Sequence, residues 1–208
     1  GATIAKAGAW SQGPALLQAL RILEPLADEL LDPQHPDGAH TILEAQKLAY
    51  ADRDAWYGDD AVDLEALLSP EYAEERRALI GPHASLDWRP GSPNGSTPVS
   101  PPLRTHADAA PAIGTGEPTV ARTGETRGDT CHLDVVDRWG NVVSATPSGG
   151  WLQSSPTIPS LGFCLGTRLQ MTWLEPGMPS SLRPGRRPRT TLTPTLVRRG
   201  GEVRSEER

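Results

Sequence analysis

A threonine hydroxyl is a weak nucleophile until a base takes its proton. One arrangement supplies that base from the same residue. When threonine is the first residue of a chain, its α-amine, with an ordinary pKa of about 7.7–8.0, accepts the proton. An enzyme built this way must first cut the bond before its nucleophile, so it needs a flexible segment upstream and a rigid strand downstream. Residues 89–136 have that form around Thr130. From Arg89 to Gly128 the chain is rich in Pro, Gly, Ser, Thr and Ala, with only Val99, Leu103, Ile113 and Val120 as sizeable aliphatics. Such a stretch buries too little to order itself and reads as an exposed linker. Directly after it, Cys131, Leu133 and Val135 alternate with His132, Asp134 and Val136, which is the period of a strand. Many strands begin with Thr after a loop, so the placement by itself makes Asp129–Thr130 a candidate self-cleavage site and leaves an ordinary strand start open.

Other residues with chemical potential have plainer readings. Cys131 and His132 are neighbours on a strand and point to opposite faces, so they cannot form a thiol–imidazole pair. Cys131 and Cys164, with no CxxC, build neither a metal site nor a disulfide scaffold, and are expected as buried or half-buried packing thiols. Gly114-Thr-Gly116 lacks the flanking strand and helix of a phosphate loop. No spacing calls for a cofactor or a metal. Trp139 sits in a turn; Trp151, after Gly149-Gly150, is a candidate wall for an acyl group.

The elements that must position Thr130 follow from pattern. Ser11 and Pro14 mark a helix entry, Leu16, Leu17, Leu20 and Leu23 recur at helical spacing, and Pro25 limits the end. Loop signals at Asp32-Pro33 and Pro36-Asp-Gly38 precede a second helix over 41–57, with Ile42, Ala45, Leu48, Ala49 and Trp56 on its apolar face and Glu44, Lys47, Asp52 and Arg53 off it. A third begins at Ser69-Pro70, carries Tyr72, Leu79 and Ile80, and stops at Gly81-Pro82. The first ninety residues are thus expected to be helical. Asp137-Arg-Trp-Gly-Asn141 joins the strand after Thr130 to a second over 142–146, giving a β-hairpin. A short apolar patch lies at Leu161–Leu165. A last hairpin is expected to run from Thr191 through Val197, turn at Arg199-Gly-Gly201, and stop before its return strand.

Bulk composition agrees with a mixed fold carrying a long irregular stretch. The 208 residues include 21 Gly and 21 Pro, enough to expect one unstructured segment without wholesale disorder. The net charge of −6 hides an asymmetry. Residues 1–90 hold 16 Asp/Glu against 7 Lys/Arg, whereas Leu182–Gly200 has six arginines and no acid. Front and rear can attract each other, so the arginines need no nucleic acid. Pro184 and Pro188 also break any basic helical stripe, and no aromatics interleave it. No apolar run is long enough to span a membrane.

Three ordered segments carry a family resemblance. The stretch Thr130-Cys-His-Leu-Asp-Val-Val-Asp-Arg-Trp-Gly-Asn-Val-Val-Ser-Ala-Thr146 closely resembles the start of the small subunit of γ-glutamyltranspeptidases, with Thr130 at the nucleophile position. Gly8–Leu23 and Glu44–Arg53 look like helices near the end of that family's large subunit. Pro184-Gly-Arg-Arg-Pro-Arg-Thr-Thr-Leu-Thr-Pro-Thr195 resembles the segment whose paired hydroxyls hold the substrate carboxylate, which makes Thr190 and Thr191 carboxylate binders. The resemblance places Ser148 where the family has a second threonine bonded to the nucleophile. At Arg168 and Met171 the chain departs from the pattern, since typical members carry a Gln/Glu and an Asp there to grip a glutamyl α-amine. Arg168 is then expected to meet a carboxylate or polar acyl group, as in glutaryl-type acylase relatives.

The resemblance implies an α+β fold, part of the four-layer αββα sandwich of N-terminal-nucleophile hydrolases. It divides the chain into 1–88, the helical end of a large subunit; 89–129, a linker ending at the cleavage site; and 130–208, the start of a small catalytic subunit. It implies acyl transfer or hydrolysis of a small γ-glutamyl or related amide, with the two subunits paired after cleavage, no cofactor, no metal and no nucleic acid. Compartment is open between cytoplasm and secretion. The family's Gly-Gly oxyanion strand lies beyond Arg208, so the chain alone is expected to be inactive. The competing class is a truncated binding module that keeps the fold without the chemistry.

Overall fold

The computed structural model describes residues 1–60, 62–101, 130–148, 157–166 and 168–204, and side chains throughout these except at 164, 170 and 204. The fold is mixed α/β. Four α-helices, α1 (Gly13–Leu23), α2 (Pro36–Trp56), α3 (Leu64–Leu67) and α4 (Pro70–Arg77), occupy the front of the chain. Among the described residues three antiparallel sheets are made from β1 (Ala2–Lys6), β2 (Leu133–Val136), β3 (Val142–Ala145), β4 (Thr157–Ile158), β5 (Phe163–Cys164), β6 (Thr195–Arg199) and β7 (Glu202–Arg204), in the orders β1-β6-β7, β2-β3 and β4-β5.

Two of these strands correct the sequence reading. The first ninety residues are not all helical, because β1 pairs with β6, Ala2 opposite Arg199 and Lys6 opposite Thr195. The last hairpin does have its return strand: β7 pairs with β6 across the Gly200-Gly201 turn, Arg199 opposite Glu202. Both glycines have positive φ there, a conformation that costs them nothing.

The helices start and stop close to their sequence signals, with differences that have local causes. Ser69 caps α4 by accepting the Tyr72 amide at 3.1 Å, and Pro70 takes the first turn. α2 begins five residues earlier than expected, with Pro36 in its first turn; His35 is its N-cap and accepts from the Asp37 amide. Ser11 accepts the Gly13 amide at 3.0 Å while donating to Gly8 O, fixing the entry to α1.

The core lies between α1, α2 and α4. One cluster holds Ala15, Tyr57, Leu67 and Tyr72, and a second holds Ile22, Ala45, Leu48 and Ala73. Between the helices runs a buried polar network in place of the all-apolar seam the pattern implied. Asp52, expected off the apolar face, is fully buried. Its carboxylate receives Gln18 Nε2, Tyr72 Oη at 3.0 Å and the Gly91 amide at 2.6 Å, and Arg76 Nε lies 3.1 Å away. Tyr57 Oη donates to Gln18 Oε1 at 2.8 Å. Glu44 is buried too, between Lys47 at 2.5 Å and Arg89 at 2.7 Å, with the Ser85 amide at 3.2 Å. Both corrections have one cause: a carboxylate can be buried when several donors surround it.

These bonds fasten the first residues of the expected linker onto the helices. Trp56 Nε1 donates to Gly91 O at 3.0 Å, Arg89 reaches Glu44, and Asn94 reaches Asp63. Gly91 lies so close to Tyr72 Oη that a Cβ there would collide with it. The rest of the linker, from 102 to 129, is outside the described residues.

Candidate active site

The turn after Thr130 sets the geometry around it. Asp137 Oδ1 accepts the Trp139 and Asn141 amides, each at 2.9 Å, and Asn141 Nδ2 donates to Asp137 Oδ2 at 2.7 Å. The Asn141 side chain, with the amides of Asn141, Trp139 and Gly140, holds the Asp137 carboxyl below the usual carboxylate range against a smaller effect of burial. A turn so pinned fixes the register of β2 on β3, with Val136 opposite Val142 and Leu133 opposite Ala145.

That register, carried three residues further, places Thr130 opposite Ser148, and the two form an isolated bridge. The Thr130 hydroxyl donates to Ser148 Oγ at 2.9 Å. The same register sets His132 beside Thr146, Nδ1 to Oγ1 at 2.8 Å, while His132 Nε2 lies 3.0 Å from Asp134 Oδ2. Alternation thus gives one polar face, Thr130, His132 and Asp134, as period-two geometry requires. Cys131, on the other face, is exposed, which corrects its expected role as a packing thiol: β2 has no described layer over it.

Arg168 comes to this pair from elsewhere in the chain. It stands in a short 3₁₀ turn, Arg168–Met171, and its Nη2 donates to Ser148 Oγ at 2.8 Å. Its Nε is buried with no hydrogen-bond partner, and no carboxylate is paired with it among the described residues. Thr130, Ser148 and Arg168 are therefore brought together in one chain of contacts. Thr190 and Thr191 are not bonded to them. The Thr190 amide donates to Trp10 O at 2.9 Å, Thr190 Oγ1 accepts the Leu192 amide at 3.1 Å, and Thr191 is exposed. Asp129 and Trp151 lie outside the described residues. Among those residues no cluster of His, Cys, Asp and Glu could hold a metal ion, and no helix is long and apolar enough to cross a membrane.

The family described as Gamma-glutamyltranspeptidase matches residues 1–206. This chain belongs to the γ-glutamyltranspeptidase family. Among relatives, it is 31% identical to the glutathione hydrolase proenzyme of Bacillus subtilis subsp. natto over 90% of this chain and 30% of that protein. Among solved structures, LmbA2991HD is 57% identical with a TM-score of 0.76, over 98% of this chain and 33% of that one. The cephalosporin acylase from Bacillus halodurans is 25% identical with a TM-score of 0.70, over 97% and 31%. The chain spans about a third of the length of these relatives.

Within this γ-glutamyltranspeptidase-family chain, the resemblance had pointed to Ser148, but a direct signal was also present. Once Asp137–Asn141 is taken as the turn, counting outward along both strands pairs Thr130 with Ser148 and His132 with Thr146. A second set of residues was legible only as charge. Arg183 and Arg186 bind Asp60, Arg187 binds Asp59 at 2.7 Å, and Arg189 binds Asp54 at 2.7 Å. Arg187 also lies over the Trp10 ring, 3.5 Å from its centroid. The segment leading to Thr190 and Thr191 is thereby held against the end of α2, where Gly58 comes too close to Pro179 O for any side chain.

Proposed function

We propose that this chain carries the nucleophile of an amide hydrolase or acyltransferase acting on γ-glutamyl or related acyl amides, matured by cleavage at Asp129–Thr130. The observation that supports it most is the Thr130–Ser148 hydroxyl pair at 2.9 Å, in a bridge three residues before β2 whose register a pinned turn fixes. In the uncut chain, Thr130 Oγ attacks the Asp129 carbonyl carbon. The Asp129–Thr130 amide becomes an ester, and water then releases a carboxylate at Asp129 and a free amine and hydroxyl at Thr130. In turnover, that amine takes the Thr130 hydroxyl proton as Oγ attacks the substrate amide carbon. The proton passes to the departing amine, and water or an acceptor amine resolves the acyl ester. The hydroxyl of Ser148 orients Oγ through both steps.

In this reading residues 1–88 end the large subunit, 89–129 are the linker, and 130–208 begin the small subunit, which stays paired with the large one in a four-layer αββα sandwich. Thr190 and Thr191 bind the substrate carboxylate, and Arg168 and Trp151 contact the acyl group. The proenzyme status of the Bacillus relative supports the maturation step.

Arg168 supports a second reading of the same chemistry, a glutaryl- or cephalosporin-type acylase, because a guanidinium suits a carboxylate and repels a glutamyl ammonium. Intact-mass spectrometry of the protein carrying this chain, after incubation at neutral pH, tests the first claim. A pair of fragments, the smaller starting at Thr130 and absent from Thr130→Ala, is the expected result. A single uncut mass from folded protein removes the base on which the mechanism depends. Rates on glutaryl against γ-glutamyl anilides then separate the two donors, and a strong γ-glutamyl preference sinks the acylase reading.

A further inference from the structure

An N-terminal amine that must act as a base is useless while protonated, and its ordinary pKa leaves most of it protonated at neutral pH. Among the described residues, one cation stands beside the Thr130–Ser148 pair. From Trp139 to Thr167, 29 residues, the sequence has no Asp, Glu, Lys, Arg or His. That run includes Ser148 and the whole of β3, β4 and β5. The first charge after it is Arg168, and its guanidinium donates to the same Ser148 oxygen that Thr130 Oγ1 contacts, at 2.8 Å and 2.9 Å. Arg168 is half-buried, its Nε is sealed from water without a hydrogen-bond partner, and no carboxylate among the described residues offsets it.

We propose that Arg168 is a positioning residue for the Thr130 base: its charge, held one hydroxyl away by Ser148, keeps the freed α-amine of Thr130 neutral near neutral pH. The physical sign is fixed. A neighbouring cation disfavours the ammonium form and lowers the pH at which the amine loses its proton. The position of Arg168 makes the effect strong, because a half-buried charge is screened less than an exposed one. The other ionisable groups on the hairpin act less directly. Asp134, on the same face as Thr130, acts in the opposite sense and lies 3.0 Å from His132 Nε2, and Cys131 points to the opposite face. Cleavage also frees a carboxylate at Asp129, which pulls in the opposite direction and lies on a segment outside the described residues. This inference rests on the maturation proposed above.

Competitive labelling with trace acetic anhydride across pH 5 to 9 reads the amine without any knowledge of the substrate. Acetylation of the peptide beginning at Thr130 is quantified by mass spectrometry in the matured protein carrying this chain. Wild type should show a labelling midpoint below the ordinary α-amine value. Arg168→Gln should move it up by roughly one pH unit, and Arg168→Lys, which keeps the charge, should leave it within a few tenths. A wild-type midpoint at or above the ordinary value overturns the proposal whatever the variants do, and so does an unmoved midpoint in Arg168→Gln. If no chain beginning at Thr130 forms in wild type, the proposed maturation fails and takes this inference with it. Cleavage with an unshifted midpoint leaves the maturation standing and removes only the role of Arg168.

Discussion

At the scale of single residues, what distinguishes this site is that Ser148 accepts from two donors among the described residues. Its oxygen accepts from Thr130 and from Arg168. Removing it strips the Thr130 hydroxyl of this partner and leaves the Arg168 guanidinium without its one hydrogen bond to a described residue. A hydrogen bond that stabilises developing charge is worth about 1.5–3 kcal/mol, which is a factor of roughly 10 to 150 in rate. Ser148→Ala should slow formation of the fragment beginning at Thr130 by that factor, followed as a time course of intact mass. Ser148→Thr, which restores the hydroxyl, should recover most of the rate; an unslowed Ser148→Ala would show that the pair at 2.9 Å is incidental. Thr130 and its partner were legible because a strand has period two and the turn residues fix its register. Arg168 was legible as a residue out of place in its family pattern, but not as a neighbour of Ser148. Residues 149–167 contain no periodic signal that would say where the chain returns.

At the scale of elements, sequence reading failed where stability comes from a distant partner. β1 has a single bulky aliphatic, Ile4, and becomes a strand because β6 supplies its ladder from the other end of the chain. In α1 the helical spacing was read correctly, but the buried face is Ala15, Gln18, Ala19 and Ile22. Leu16 and Leu20 are exposed instead, lining a groove with Ile4, Ile42 and Leu68. In α2 an amphipathic reading turned Glu44 and Asp52 outward, whereas, apart from Lys47 on α2 itself, the donors around them arrive from α1, α4 and residues 85–91. The two carboxyls respond in opposite directions. Burial pushes Asp52 up despite Arg76, the Gly91 amide, Gln18 and Tyr72. Burial also acts to raise Glu44, but Lys47, the Ser85 amide and Arg89 together outweigh it and hold its pKa below the ordinary 4.5. A carboxyl whose folded pKa is depressed adds stability that is complete above its unfolded value and lost as pH falls through the folded one. Amide-exchange protection of α2 in the intact protein should therefore decline below about pH 4.5 more steeply in wild type than in Glu44→Gln. Parallel declines would mean that Glu44 does not couple this helix to pH.

At the scale of the whole molecule, the asymmetric charge distribution has a structural use. Asp54, Asp59 and Asp60 at the end of α2 and just beyond it meet Arg183, Arg186, Arg187 and Arg189. The Arg187 amide and guanidinium, with Arg186, hold the Asp59 carboxyl below its usual range against burial. Charge counting foretold an attraction between front and rear, but which carboxylates would be used depends on where the chain folds back. Single exposed ion pairs contribute only about 0.2–1 kcal/mol, yet these four converge on one short segment and Arg187 also stacks on Trp10. They tie the residues just before Thr190 and Thr191 to the end of α2. Trypsin can read this, because Arg183 and Arg187 precede proline and resist cleavage while Arg186 and Arg189 do not. In the intact protein at low salt, Arg186 and Arg189 should be protected. In Asp59→Asn/Asp60→Asn they should be cut several-fold faster, and about 1 M salt, where the Debye length shrinks to roughly 3 Å, should expose them in wild type as well. Equal cutting of wild type and variant at low salt would mean that the segment is held by its backbone bonds, such as Thr190 N to Trp10 O, and that the opposed charges at the two ends of the chain are not what fastens it.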